Sequence, residues 1–300
     1  MANTYCPHMD PAGGARIADA LLAALPCRCD KCICEGDAAR NTVSNVSHDT
    51  AVRFLRSCKG NLPKAAHKLT STCLWRRAFG ADRLLEEPVG VAEARAQAVQ
   101  PFFPMGVLTI QRSRSSDAVY ILRAGHAEPA AGRVPNLFGG ESGVDTWLRH
   151  HVRCNELCLA IHPQKLVIWD LDNLGRKQLT NVDTLRHLRR LIEIDVRHYP
   201  LTARKVLVVN SPYSLQTIWP AIAAMMDADT LSRVQILGRV SEPEVRAALL
   251  AEMDEQALPD FLGGAFGGPL PAGLVLPAPD VQSTASGTWS EYIFGSYSLT

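Results

Sequence analysis

Two stretches of the chain are apolar without interruption for the length of a strand: Lys165 to Leu171 (KLVIWDL) and Lys205 to Asn210 (KVLVVN). Such runs mark strands covered on both faces. A shorter run, Arg233 to Leu237 (RVQIL), predicts a third strand, and Asp117 to Arg123 (DAVYILR), bounded by Gly125, a further one. Between them the apolar residues recur at helical spacing. Val144 to Leu159 places Trp147, His151, Cys154 and Cys158 on one face, and Leu185, Leu188, Ile192, Val196 and Tyr199 form a second stripe. Pro212 to Met226 is a largely apolar helix with Pro220 inside it, a residue that kinks helices. Strand, helix, strand, helix, strand in this order predicts right-handed crossovers and an α/β layered domain.

The first third of the chain reads differently. A short helical stretch is expected around Ala15 to Leu25. Ser47-His48-Asp49 then offers helix-start chemistry, Lys59-Gly60-Asn61 a stop, and Pro63 a first-turn residue for the next helix. Ala66, Leu69, Cys73 and Arg76/Arg77 repeat at helical spacing up to Phe79-Gly80. These features predict a small all-α domain. An Ala-rich polar connector leads to a boundary at Pro101 to Pro104, and beyond Gly268 the composition turns to Pro, Gly, Ser and Ala. The expected division is an N-terminal cysteine-containing segment over 1–45, a helical domain over 46–95, an α/β domain over 100–265 and a flexible tail over 266–300.

Composition narrows the class. Of 300 residues, 47% are hydrophobic, which excludes disorder throughout, and the net charge of +1 argues against a protein that coats nucleic acid. No apolar run approaches the roughly 18 residues of a membrane span. Asp19 interrupts the apolar stretch near the start, and Ala2 excludes the myristoylation pattern. The expectation is a soluble cytoplasmic monomer that meets membranes at their periphery. Charge is uneven: Arg40 to Arg83 holds nine Lys/Arg against Asp49 and Asp82, whereas Ser241 to Thr300 holds eight acids and one base, Arg246. Such segments can be ordinary solvated faces, can face each other, or can meet an anionic surface.

Candidate chemistry is sparse. Cys27, Cys29, Cys32 and Cys34 could supply four thiolates to a soft metal, could be acylated, or could be a lead-in without a ligand. The spacing is too compact for the usual two-knuckle zinc site. His150-His151 with Cys154 and Cys158 invites a metal reading, although a buried helix face carrying small thiols is the commoner arrangement. Asp170 and Asp172 stand near a strand end without a spaced His or Lys partner. The glycine-rich phosphate loops and the nucleophile elbow are absent, and Phe138 to Gly143 is Gly-rich but follows no strand. No catalytic residue and no cofactor are predicted, and the chain is not read as an enzyme.

The order of motifs resembles the CRAL-TRIO lipid-binding proteins, including the yeast-type phosphatidylinositol transfer proteins. Val52 to Arg56 (VRFLR), Lys59 and Leu74 to Arg77 (LWRR) resemble that family's small helical domain. Val167 to Leu171 (VIWDL), His198-Tyr199-Pro200 and Val208 to Pro212 (VVNSP) resemble its central strand, the close of its long helix and its next strand. Asp227 to Thr230 with Arg233 and Leu237-Gly238, then Leu258-Pro259 with Gly263-Gly264, resemble its last segments.

The resemblance, which spans about residues 50 to 265, implies a CRAL-TRIO-type α/β domain with a hydrophobic pocket and a mobile gate helix, preceded by a small all-α domain. It implies that Arg233 contacts a head-group phosphate, with Thr230 a neighbouring polar contact and Tyr120 a pocket tyrosine serving choline lipids in dual-ligand members. Ile218, Trp219, Ile222, Met225 and Met226 fall on the gate. Leu201 stands where inositol-binding members carry Glu, Cys58 replaces a basic residue, and Lys165 and Val167 replace a hydroxyl pair. The implied function is binding and transfer of a phospholipid. The alternatives are another small hydrophobic ligand, of tocopherol or retinoid kind, or a lipid-dependent regulatory adaptor that transfers nothing.

Overall fold

The computed structural model describes residues 46–126, 144–175, 182–266 and 274–275. The helical stretch expected at Ala15 to Leu25, the cysteines Cys27, Cys29, Cys32 and Cys34, and the Gly-rich Phe138 to Gly143 lie outside them. The chain divides into two compact units: Met1–Asp82 with Ile194–Leu201, and Arg83–Glu193 with Thr202–Thr300.

The first unit is helical. In α1 (His48–Ser57), the Ser47 hydroxyl accepts from the Thr50 amide, capping the first turn. The helix stops where Lys59 and Gly60 take left-handed conformations, with φ of 53° and 77°. Asn61 then caps α2 (Leu62–Phe79), its side-chain oxygen accepting from the Lys64 amide at 3.0 Å, and Pro63 sits in the first turn. Gly80, at φ 76°, ends it. The two helices bury Ala51, Phe54 and Leu55 against Ala65, Leu69 and Cys73. Residues 194–201 add His198 and Tyr199 to this unit, where both rings meet Trp75.

The second unit opens with α3 (Val89–Val99). The sequence suggests a connector here, but Ala92, Ala96 and Val99 recur at helical spacing and are buried, so the Ala-rich segment has a face to pack. There follow β1 (Met105–Arg112), β2 (Ala118–Leu122), α4 (Val144–Ile161), β3 (Lys165–Asp170), α5 (Val182–His198), β4 (Ala203–Val209), α6 (Leu215–Ala223), α7 (Ala228–Leu231), β5 (Val234–Ile236), α8 (Pro243–Glu252) and β6 (Leu274–Val275). The sheet order is β5-β4-β3-β2-β1-β6, antiparallel only between β1 and β2. The predicted alternation of strand and helix is thus the one observed, with β1, α3, α7 and α8 added. Residues 274–275, within the segment read as a tail, supply the sixth strand.

Period-two alternation gives the sheet two apolar faces. One carries Leu108, Val119, Ile121, Leu166, Ile168, Leu207 and Val209, covered by Val245 and Leu249 of α8 and by Met253, Leu258 and Leu262 beyond it. The other is ordered by register into two rows, Tyr120-Val167-Val206-Val234 and Leu122-Trp169-Val208-Ile236. At the β1–β2 end of this second face α4 packs, bringing His151 to Tyr120 and His150 to the Met105 carbonyl.

Polar networks fasten both ends of the strands. At the N-terminal end Arg204 bridges buried Asp117 (2.5 Å) and Glu252 (2.6 Å), and Lys205 joins Glu252 at 2.9 Å. At the C-terminal end buried Asp170 accepts from Arg123 at 3.0 Å, from Asn210 at 2.8 Å and from the Asp172 amide at 2.9 Å, tying three neighbouring strands.

Candidate functional site

The apolar face of the sheet changes character toward its β5 edge. Tyr120, Val167 and Val208 are buried, whereas Ile236, at the end of the second row, is 41% exposed. Over this edge the chain leaves β4 through Asn210, whose left-handed backbone (φ 54°) turns it into Ser211-Pro212. The Ser211 hydroxyl donates to the Leu237 carbonyl and pins the turn to the end of β5. Helix α6 follows, with Leu215 and Ile222 buried two turns apart.

Between α6 and the β5 edge lies an open surface pocket, a cavity of about 450 Å³ whose Tyr213, Gln216, Pro220 and Ile236 are exposed. Its apolar lining is Pro212, Leu215, Trp219, Pro220 and Ile236, and its polar lining is Ser211, Tyr213 and Gln216. No charged side chain lines it. At its rim Tyr213 is 86% exposed. A concave, largely apolar wall with a few neutral polar groups suits an uncharged hydrophobic ligand rather than a free ion.

The residues singled out from sequence are spread over this part of the unit. Trp219 lines the cavity; Ile222 is buried on the same helix; Ile218 is half-buried. The helix is shorter than the predicted Pro212 to Met226. It ends at Ala223, so half-buried Met225 and Met226 occupy the turn before Asp227, which caps α7 by accepting from the Thr230 amide at 2.7 Å. Thr230 is half-buried there. Arg233 stands just before β5 and donates to the Ala203 carbonyl at 2.7 Å, at the opposite end of the strand from the Ile236 wall. Sequence reasoning missed Ser211, Tyr213, Gln216, Leu215 and Ile236. The Asn-x-Pro turn after a buried strand was the signal for the first of these, but the partnership of α6 with β5 is tertiary.

Tyr120 sits elsewhere, under α4 and 1% exposed. Its hydroxyl lies 2.7 Å from His151 Nδ1 and 3.1 Å from the Met105 sulfur. His151 Nε2 is 3.1 Å from the Asn155 amide nitrogen, and the Asn155 oxygen accepts from Lys165. This chain fixes the His151 tautomer: Asn155 donates to Nε2, so Nδ1 carries the proton and donates to the tyrosine oxygen. The Lys165 ammonium also lies over the Tyr120 ring, 5.3 Å from its centroid.

Beside this network His150 donates through Nε2 to the Met105 carbonyl, and burial takes its pKa down to about 3. Burial pushes the Cys154 thiol up to about 12, so it is an inert, protonated core group. Among the described residues no three His, Cys, Asp or Glu side chains are grouped to hold a metal, and no helix is long and apolar enough to cross a membrane.

Comparison with known proteins bears directly on this arrangement. The CRAL/TRIO domain model matches residues 107–264, which contain most of β1, all of β2 to β5 and the whole cavity wall. A phosphatidylinositol/phosphatidylcholine transfer protein of Arabidopsis thaliana, SFH14, is 25% identical over 226 residues, 71% of this chain and 36% of that protein. Its counterpart SFH4 is 28% identical over 71% of this chain and 34% of its own length. Protein real-time of Drosophila melanogaster is 30% identical over 73% of this chain and 32% of that protein. The chain therefore spans about a third of the length of these relatives. The crystal structure of Sfh5 superposes with a TM-score of 0.53 at 16% identity, covering 77% of this chain and 82% of that one, a likeness of fold. With strands β2 to β5 and the α6 pocket falling in a matched region that covers more than half of the chain, the chain belongs to the CRAL/TRIO domain family.

Proposed function

We propose that this chain is a lipid-binding and transfer protein. It holds a phospholipid, with phosphatidylinositol a candidate, by its apolar portion and exchanges it at membrane surfaces. The observation that carries the reading is the uncharged cavity of about 450 Å³ between α6 and the Ile236 edge. Each buried methylene of an acyl chain is worth about 0.8 kcal/mol against water, so passage through open water is slow. A largely apolar pocket lowers that cost when its opening meets the membrane. Half-buried Ile218 and Trp219 and the adaptable Met225 and Met226 suit an α6 that covers ligand on one side and meets lipid on the other. The relatives named as phosphatidylinositol/phosphatidylcholine transfer proteins support the same reading.

In this proposal Arg233 engages the phosphate. One of its five N–H donors is spent on Ala203, and the rest remain for an anion. Thr230 is its polar neighbour, and Tyr120 contributes from beneath α4. No catalytic step is assigned: Asp170, the acid best placed for one, is committed to Arg123, Asn210 and the Asp172 amide. The protein works as a cytoplasmic monomer with transient membrane contact.

The cavity volume favours one second reading. About 450 Å³ falls within the roughly 300–1,000 Å³ of small-molecule pockets, which suits a compact ligand of tocopherol or retinoid kind. Mass spectrometry of lipid extracted from the purified chain separates the two. An abundant phospholipid, transferred between vesicles by wild type and poorly by Arg233→Ala, supports the first reading. An isoprenoid-like species supports the second, and an empty cavity refutes both.

A further inference from the structure

Between Asp49 and Asp82 the sequence holds seven Lys/Arg and no acid. The structure shows where that charge goes. Phe54, Leu55, Ala65, Leu69 and Cys73 close the core of the first unit, Thr72 and Trp75 meet His198, and the outer arcs of α1 and α2 are left to solvent. Arg56 near the end of α1, Lys59 in the left-handed turn and Lys64 in the first turn of α2 are all exposed, so three cations crowd the α1–α2 corner. Along the outer arc of α2, positions 64, 67, 71, 74 and 78 follow at helical spacing and all are exposed: Lys64, His67, Ser71, Leu74 and Ala78. Arg77 stands one turn beyond Leu74, which is itself 51% exposed. Arg56, Lys59, Lys64 and Arg77 form no ion pair among the described residues; Arg76, by contrast, is paired with Asp82 at 2.5 Å.

We infer that this corner is a docking surface for an anionic bilayer, separate from the lipid cavity of the second unit. Charge complementarity chooses the occupant. A corner that carries Arg56, Lys59 and Lys64 with no acid between them in the chain offers a phosphate-rich surface several cations at once, and the long side chains can lie along the interface while their heads stay hydrated. Leu74, an apolar group set among them, enters the head-group boundary without breaking the fold, because its side chain has no place in the helical core. The surface brings the protein to a negatively charged membrane; the cavity handles the cargo once it arrives.

The test uses the full chain and phosphatidylcholine vesicles with and without phosphatidylserine, in a flotation assay. Wild type binds the anionic vesicles, and binding falls more than tenfold as salt rises from about 0.1 M to about 1 M, where screening shortens from about 10 Å to about 3 Å. Arg56→Glu/Lys59→Glu/Lys64→Glu loses more than tenfold in affinity for the same vesicles, and Leu74→Ser loses a smaller part. None of the four side chains is buried, and circular dichroism of each variant checks that the fold is kept. Lipid carried in the cavity, read by mass spectrometry, is the same in wild type and the triple variant, which separates this surface from the transfer reading. Equal vesicle binding by the triple variant, indifference to phosphatidylserine, or a preference for an acidic protein or RNA over vesicles overturns the inference.

Discussion

The indole of Trp75 and the imidazole of His198 lie face to face, 3.9 Å between centroids and 2° from parallel, although 123 positions separate them in the chain. Tyr199 meets the same indole edge-on at 6.2 Å, and Thr72 is hydrogen-bonded to His198 Nδ1 at 3.0 Å. Burial first, and then the charges of Arg197, Lys68 and Arg76, lower the His198 pKa to about 4. An unfolded histidine titrates near 6.5, so below that pH the unfolded chain gains a proton that the folded one refuses. Stability is therefore highest above pH ~6.5 and declines as the pH falls toward about 4. Urea unfolding of His198→Phe, which keeps the stack without the titration, shows a flatter decline over this window than wild type. An unchanged slope would sink the assignment.

The same sign applies more strongly to His150, which burial holds at about 3. His150→Gln keeps a donor for the Met105 carbonyl and removes the proton acceptor. Its stability between pH 6.5 and 4 falls less steeply than that of wild type, by up to about 1.4 kcal/mol per pH unit.

Ile236→Asp places a carboxylate in the wall of the α6 cavity without emptying a core position, since Ile236 is 41% exposed. Retention of hydrophobic ligand is expected to drop at least tenfold, about 1.4 kcal/mol, with the melting temperature nearly unchanged. Trp219→Ala loses ligand too, by removing apolar wall. Native mass spectrometry of both variants reads the result directly; full occupancy in both would place the ligand elsewhere.

At the N-terminal edge of the sheet, burial pushes the Glu252 pKa up, but donation from Arg204 and Lys205 outweighs it and holds the group below the usual carboxylate range. Its contribution is present above the ordinary pKa and fades as acid protonates it in the folded state. Glu252→Gln is expected to cost about 2 kcal/mol at neutral pH, and its penalty shrinks on going to acid. Denaturation at two pH values checks both halves of the statement.

Two glycines should lose unequally on substitution by alanine. A Cβ on Gly125 would stand 1.8 Å from the Asp172 carbonyl oxygen, so the loop after β3 has to move, and a loss of about 3 kcal/mol or more follows. A Cβ on Gly60 meets nothing within 4 Å, and only its φ of 77° resists. That costs about 1 kcal/mol.

The layered domain was legible because its central strands are buried on both faces: KLVIWDL and KVLVVN carry no polar face to confuse their period. Less of the periphery could be read. In β1 the apolar run breaks into Thr, Gln and Arg before the strand ends, and α8 buries Val245 and Leu249 among charged neighbours, so neither has a clean period. The Ala-rich α3 shows the limit of treating small residues as filler. As for the site, the apolar run through Trp219 could be seen in the chain, whereas Ile236 belongs to it only because β5 pairs beside β4 and lies opposite α6. Tyr120 and Arg233 came forward by resemblance alone, and the fold sets them at other points of the same sheet.

Pro220 falls in the middle of the nine-residue α6. Having no N–H, it leaves the carbonyl of Gln216 without its usual helical donor, while the next rung, from the Ala224 amide to the Pro220 oxygen, is intact at 3.0 Å. The roof of the cavity thus carries a seam at mid-span. The half bearing Leu215 and the half bearing Ile222 are joined by one backbone bond fewer than an unbroken helix supplies, so a bend between them sacrifices less of the ladder.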